Sequence, residues 1–197
     1  HLLAGRLFRP LAQALPDNVI AESGSAPTTR SVFSGMDRHG NRFSQIMFAS
    51  GGMGGSATQD GLPCTAFPTN AGAGSIEAFE SLAPLIVHKK ELRTDSGGAG
   101  RHRGGLGQEI VIEVVSPEPL RLSLLSDRHK YPPQGLAGGG DGARVEIELA
   151  DGRKPHPKSR DTIRPGERLI VRYAGGGGYG DPASRERAAG PRDLRHG

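Results

Sequence analysis

The sequence predicts a mainly β protein with a few helices, its antiparallel strands set in a sandwich or barrel-like arrangement and joined by glycine-rich loops. Three observations lead there. Segments 108–115, 120–126, 143–149 and 167–173 alternate apolar and polar residues with the period of a half-buried strand. Turn residues separate them: Ser116-Pro-Glu-Pro119, the glycines of 135–142, Asp151-Gly152 and Arg164-Pro165-Gly166. The 31 glycines and 15 prolines are together roughly twice average usage, and the glycines gather at segments such as 51–61, 97–107, 135–142 and 175–180 with no collagen-like period.

The first half is less regular. Residues 2–15 place Leu2, Leu3, Leu7, Phe8, Leu11 and Leu15 near helical spacing. Pro10 kinks that helix or restarts it as a first-turn residue, and Pro16-Asp17-Asn18 ends it. Residues 19–35, polar and holding Gly, Ser and Thr, read as an extended or loop connection. Asp37 to Gly40 read as a hairpin turn into a strand at 42–48, and residues 62–73 show little periodicity. Ser75 is placed to cap a helix through Phe79, Leu82 and Ala83, with Glu77 and Glu80 suiting its positive end and Pro84 closing it. Residues 85–93 read as a further strand.

Composition bounds the function. Hydrophobic residues are 35% of the chain, aromatics are 5% and there is no Trp, so the core rests on Leu, Ile, Val and Ala and is thin for the length. One reading is that the chain packs against something else. A first residue other than Met, with no secretory pattern after it, leads us to expect a fragment of a longer polypeptide. The net charge of +4 is spread and mixed in sign, approaching a basic run only over Arg185 to Arg195. With no zinc-finger, RNA-recognition or recognition-helix pattern, nucleic acid is an unlikely partner, and an anion- or nucleic-acid-binding module is the lesser alternative. Cys64 is the only cysteine, which excludes a disulfide scaffold and points to the cytoplasm. No apolar run is long enough to span a membrane, so no membrane partner is expected.

Three groups of residues invite chemistry. The glycine loops suggest a phosphate cradle, but Gly104-Gly105-Leu106-Gly107 leads into a strand rather than a helix, and no Gly-Lys-Ser/Thr occurs. The favoured reading is close backbone approach. The segment Asp95-Ser-Gly-Gly-Ala-Gly-Arg101-His102-Arg103 joins a carboxylate to three potentially cationic groups. It suits either an anion-binding loop or a turn locked by Asp95 against loop N–H groups, Arg101 or Arg103, and the second is favoured. Asp127-Arg128 is a further loop candidate. The seven histidines lack metal-ligand spacing, Cys64 lacks a local base, and no catalytic or metal-ligating residue is assigned.

Several strings occur in an order that resembles the C-terminal part of the hydantoinase B/oxoprolinase family. They include Gly51-Gly-Met-Gly54 with Asp60-Gly61, Phe67-Pro-Thr-Asn70, Glu91-Leu-Arg93, Asp95 through Gly107, Asp127-Arg128 and Gly175-Gly-Gly-Gly-Tyr-Gly-Asp-Pro182. The resemblance implies that residues 1–182 are the C-terminal β-rich region of a B-type subunit: a helix and connecting loop over 1–35, then glycine-rich loops and sheet over 36–182. Residues 183–197 are expected to be a polar, frayed tail. It also implies an ATP-dependent amidohydrolase acting on cyclic amides, with ATP and a divalent metal used by the full enzyme. This chain would contribute scaffold, active-site wall and subunit interface, the fragment alone being inactive. The implied partners are the N-terminal remainder of the subunit and an ATP-binding A-type subunit. The family's His- and Asp-rich strings are absent, which places a metal outside this chain. A related subunit of an acetone or acetophenone carboxylase is the other enzymatic reading.

Overall fold

Among the described residues of a computed structural model (2–24, 30–69, 71, 72 and 74–186), eight strands build two antiparallel four-stranded sheets packed face to face. The helix α1 spans Leu2–Leu11 and α2 spans Ile76–Leu82. The strands are β1 (Arg30–Met36), β2 (Arg42–Phe48), β3 (Leu85–Leu92), β4 (Gln108–Val114), β5 (Leu120–Leu125), β6 (Glu146–Leu149), β7 (Arg160–Ile163) and β8 (Arg168–Arg172). The order is β2-β1-β5-β7 in one sheet and β3-β4-β8-β6 in the other, so from β4 onward each successive strand changes sheet. This is the mainly β, two-layer architecture the alternating segments predict.

The alternation becomes the core. Phe33, Met47, Leu120, Leu122, Leu124 and Ile163 from one sheet meet Leu85, Ile110, Ile112, Val114, Leu169 and Val171 from the other, all buried. Ser75 caps α2 by accepting the Ala78 N–H at 3.0 Å. Phe79 of α2 then packs edge-on against Phe33 with centroids 6.3 Å apart. The β1–β2 turn is tied by Asp37, whose Oδ1 accepts the His39 and Asn41 N–H groups at 2.8 and 2.7 Å, with Gly40 at φ +81.

The structure departs from the sequence reading in four places. Residues 30–35 belong to β1, not to a connecting loop; the inward positions Ser31 and Gly35 flank a lone Phe33, which erases the apolar alternation. The short edge strand β7 went unpredicted, because its four residues carry one inward aliphatic, Ile163. The expected strand at 143–149 shortens to 146–149, since Ala143 N–H donates to Ser96 O at 2.8 Å and Val145 N–H to Arg128 O at 3.1 Å. The α1 helix, expected over 2–15, ends at Leu11 with Pro10 inside its last turn. The distal part of the expected tail, 187–197, lies outside the described residues.

Candidate functional site

Strand registers bring the glycine clusters together. Arg30 pairs with Phe48 and Leu125, while Glu109 and Glu146 both pair with Arg172. The start of β1, the ends of β2 and β5, the end of β3, the starts of β4 and β6 and the end of β8 therefore share one end of the sandwich. The loops leaving these points, near 51–55, 96–107, 134–142 and 174–180, bond backbone to backbone. Gly98 N–H donates to Gly176 O at 2.8 Å, Gly176 N–H to Gly105 O at 2.9 Å, and Gly105 N–H to Met53 O at 2.8 Å. Gly178 N–H donates to Gly140 O at 2.9 Å, and Gly55 N–H to Gly177 O at 2.9 Å. A Cβ at Gly98 would overlap Gly140 O, and one at Gly176 would overlap Met53 O. These amides are spent on neighbouring carbonyls, so they are not an open phosphate cradle. Close approach is what these glycines supply.

Two carboxylates are set into the rim of this block. Asp60, from the loop after β2, accepts the Arg103 N–H at 2.8 Å and both guanidinium arms of Arg185 at 2.9 Å. The His102 Nδ1 stands 3.8 Å from the same carboxylate. Burial raises the Asp60 pKa, but Arg185 and the Arg103 N–H outweigh it and hold the carboxyl below its ordinary value. The second carboxylate, Glu22, lies on the segment before β1. Its Oε2 receives Arg128 Nη1 at 2.6 Å and the Gln134 N–H at 3.1 Å, with both charged side chains only 8% exposed. Gln134 in turn accepts from Arg9 of α1, and the Glu22 carbonyl receives the Gly177 N–H at 2.8 Å.

The loop candidates thus separate. Arg101, His102 and Arg103 gather around Asp60, largely through their backbone: Arg101 O accepts from Arg185 at 3.0 Å, and His102 exchanges two hydrogen bonds with Tyr179 at 2.9 and 2.7 Å. Arg128 joins Glu22 instead, from a left-handed φ of +62. Asp127 pairs with Lys158 at 2.9 Å on the other side of that turn. Asp95 is exposed at φ +54 and its carboxylate meets neither Arg101 nor Arg103; the loop is locked by Asp60 and by Ser96, whose hydroxyl donates to Arg93 O at 2.6 Å and accepts the Gly107 N–H at 2.9 Å. The expected partner for the Arg101–Arg103 run was an acid; the acid is Asp60, from 43 residues upstream of Arg103. No local signal marks Asp60, Glu22 or Arg185 as partners in the sequence.

The remaining candidates carry structure rather than chemistry. Cys64 is half-buried, and burial pushes its thiol up to about 11. His129 and His156, unrelated by spacing, bring their rings to 6.2 Å. Even so, no group of three or more His, Cys, Asp or Glu among the described residues is placed to hold a metal ion. The described residues therefore do not fit the divalent metal that the resemblance implies. No described helix is long and apolar enough to cross a membrane.

Together these features define a class: a two-sheet antiparallel sandwich whose one end is sealed by a glycine-packed block with two clamped carboxylates. The chain belongs to the hydantoinase B/oxoprolinase family, whose model matches residues 1–182. It is 32% identical over 209 residues to the caprolactamase subunit beta of Pseudomonas jessenii, an alignment taking in 99% of this chain and 36% of that protein. The crystal structure of the ATP-dependent caprolactamase from Pseudomonas jessenii superposes with a TM-score of 0.82 at 30% identity, over 94% of this chain and 34% of that one. Nucleotide-free acetone carboxylase superposes with a TM-score of 0.73 at 22% identity, over 96% of this chain and 31% of that one, a likeness of fold alone. The chain spans about a third of the length of the relatives named here, 36% for the caprolactamase subunit.

Proposed function

We propose that residues 1–182 are the C-terminal β-rich region of a B-type subunit in an ATP-dependent, cytoplasmic enzyme that hydrolyses cyclic amides. The observation that carries this reading is the extent of likeness to ATP-dependent caprolactamase, 94% of the chain at a TM-score of 0.82. Family membership over residues 1–182 supports it. An amide carbonyl is a poor electrophile for water, and ATP consumption offers a way to activate it. An ATP-binding A-type partner would supply that step, and a metal, where used, would belong outside this chain. The part played here is positional. A block held by backbone hydrogen bonds and two clamped carboxylates gives an active-site wall little room to move, which favours a fixed geometry for the reacting groups. Asp60, Arg101, His102 and Arg103 form the rim of that wall, and Glu22 with Arg128 anchors it from behind.

The test is a preparation of the longer polypeptide with its ATP-binding partner, assayed on caprolactam, hydantoin and 5-oxoproline with and without ATP and bicarbonate. ATP-dependent ring opening of at least one substrate, indifferent to bicarbonate, is expected. ATP turnover that requires bicarbonate would move the assignment to carboxylation. No ATP-dependent ring opening and no bicarbonate response would remove the enzymatic reading.

A further inference from the structure

The outward sides of the two sheets carry charge in opposite ways. On β3-β4-β8-β6, acids and bases neutralise one another across strands. Lys89 lies 2.8 Å from Glu109, Arg172 lies 2.6 Å from Glu109 and 2.7 Å from Glu148, and Arg168 and His88 both lie 2.7 Å from Glu113. On β2-β1-β5-β7, Arg42, Arg121 and Arg160 face no such acids among the described residues. Register places Ser44, Ser34, Arg121 and Thr162 in one cross-strand row, and Ile46, Val32, Ser123 and Arg160 in the next. Arg42 beside Met36 continues the face at one end, and Phe48, Arg30 and Leu125 at the other. The one acid in these strands, Asp161, pairs by register with the buried Leu122 and so lies on the opposite side. Arg42, Arg121 and Arg160 are exposed and make no ion pair with any described residue.

The same face is partly apolar and partly concave. Met36, Ile46 and Leu125 are 40%, 44% and 46% exposed. At the end remote from the glycine block a cleft of about 490 Å³ opens between Arg42 and Arg121, lined also by Ser34, Met36, Phe43 and Thr162. The helix α2 packs against β2 and β3 at the edge of the two sheets.

We infer that this face docks a second polypeptide chain whose surface carries carboxylates between apolar side chains. The inference rests on the reading that the chain works beside a partner subunit, and it names where that partner sits. Carboxylates from the partner would complete here the cross-strand pairs that the other sheet completes within itself. Arginine favours this role, since its planar fork matches a carboxylate with two parallel hydrogen bonds. The composition also favours protein over nucleic acid: the four strands hold Arg, Met and Phe and no Lys, the bias of protein interfaces rather than of phosphate-binding surfaces.

The test uses the longer polypeptide purified with its ATP-binding partner. A photo-reactive residue is placed at Ser44 or Ser123, between the arginines, and at Ile170 on the opposite sheet as a control. Cross-links from Ser44 and Ser123 to Asp- and Glu-bearing peptides of the partner, and none from Ile170, are expected. The pair Arg121→Glu and Arg160→Glu should raise the Kd of the complex about tenfold or more, while Arg144→Glu leaves it unchanged. If charge reversal prevents folding, Arg121→Gln with Arg160→Gln should still weaken binding and flatten its salt dependence. Cross-links only within the same polypeptide, cross-links to nucleic acid, or none from either serine would overturn the docking face while the heteromeric reading stands. Wild-type chains that form no complex at all would overturn both.

Discussion

Arg185 grips both carboxylate oxygens of Asp60, Nη1 to Oδ1 and Nη2 to Oδ2 at 2.9 Å each, across 125 residues of sequence. This fork holds residues 183–186 to the rim of the glycine block, on the loop that carries Arg101 to Arg103. Its partner groups titrate in a defined direction. The Asp60 carboxyl is depressed in the folded protein, so its contribution to stability is complete above the ordinary carboxylate pKa of about 4 and is lost as pH falls through the folded value. Asp60→Asn should therefore cost about 1 kcal/mol at neutral pH, the pair being partly exposed. The gap between variant and wild type should close in acid. Urea unfolding of both proteins across the acid range measures it, and a gap independent of pH would remove the assignment.

The Glu22–Arg128 pair should behave differently because both side chains are buried. Glu22→Ala strands the Arg128 guanidinium and frees the Gln134 N–H, and should destabilise by about 3 kcal/mol or more. Replacing both partners together by Leu and Met should cost less than the single change. Denaturant midpoints of Glu22→Leu, Arg128→Met and the double variant decide it; additive losses would mean the two residues act independently.

Glycines in the block and outside it should part company. Gly98→Ala and Gly176→Ala drive a Cβ into backbone oxygen and should prevent accumulation of soluble protein. Gly72→Ala meets nothing within 4 Å and should change the melting temperature little or raise it. Equal tolerance at all three positions, read by soluble yield and thermal melting, would contradict backbone packing as the reason for the glycines.

The Cys64 thiol, with burial pushing it up to about 11, should resist alkylation at pH 8 and react at the rate of an ordinary cysteine once urea unfolds the chain. Thiol titration with a chromogenic disulfide in both states checks this. Because Cys64 is the only cysteine, the signal has a single source.

The parts of the fold that show in the sequence are those where local chemistry and tertiary demand agree. Strands β4, β5 and β8 alternate because one side meets the core and the other meets solvent. Ser75 caps α2 for a reason contained in one helical turn. Strand β1 did not show, because Ser31 and Gly35 occupy inward positions and leave Phe33 as the only bulky residue there.

The site divides in the same way. The sequence alone determined the β-rich class, the glycine corners, the family resemblance and the loop that carries Arg101, His102 and Arg103. Only the tertiary structure decided which acid meets that loop, since Asp60 and Arg185 are brought to it from opposite directions along the chain. It likewise joined Glu22 to Arg128 across 106 residues and left Asp95 exposed. The physical reason is range. Turn, cap and alternation signals act within a few residues, whereas an ion pair is chosen by whatever the packed sheets bring within hydrogen-bond reach.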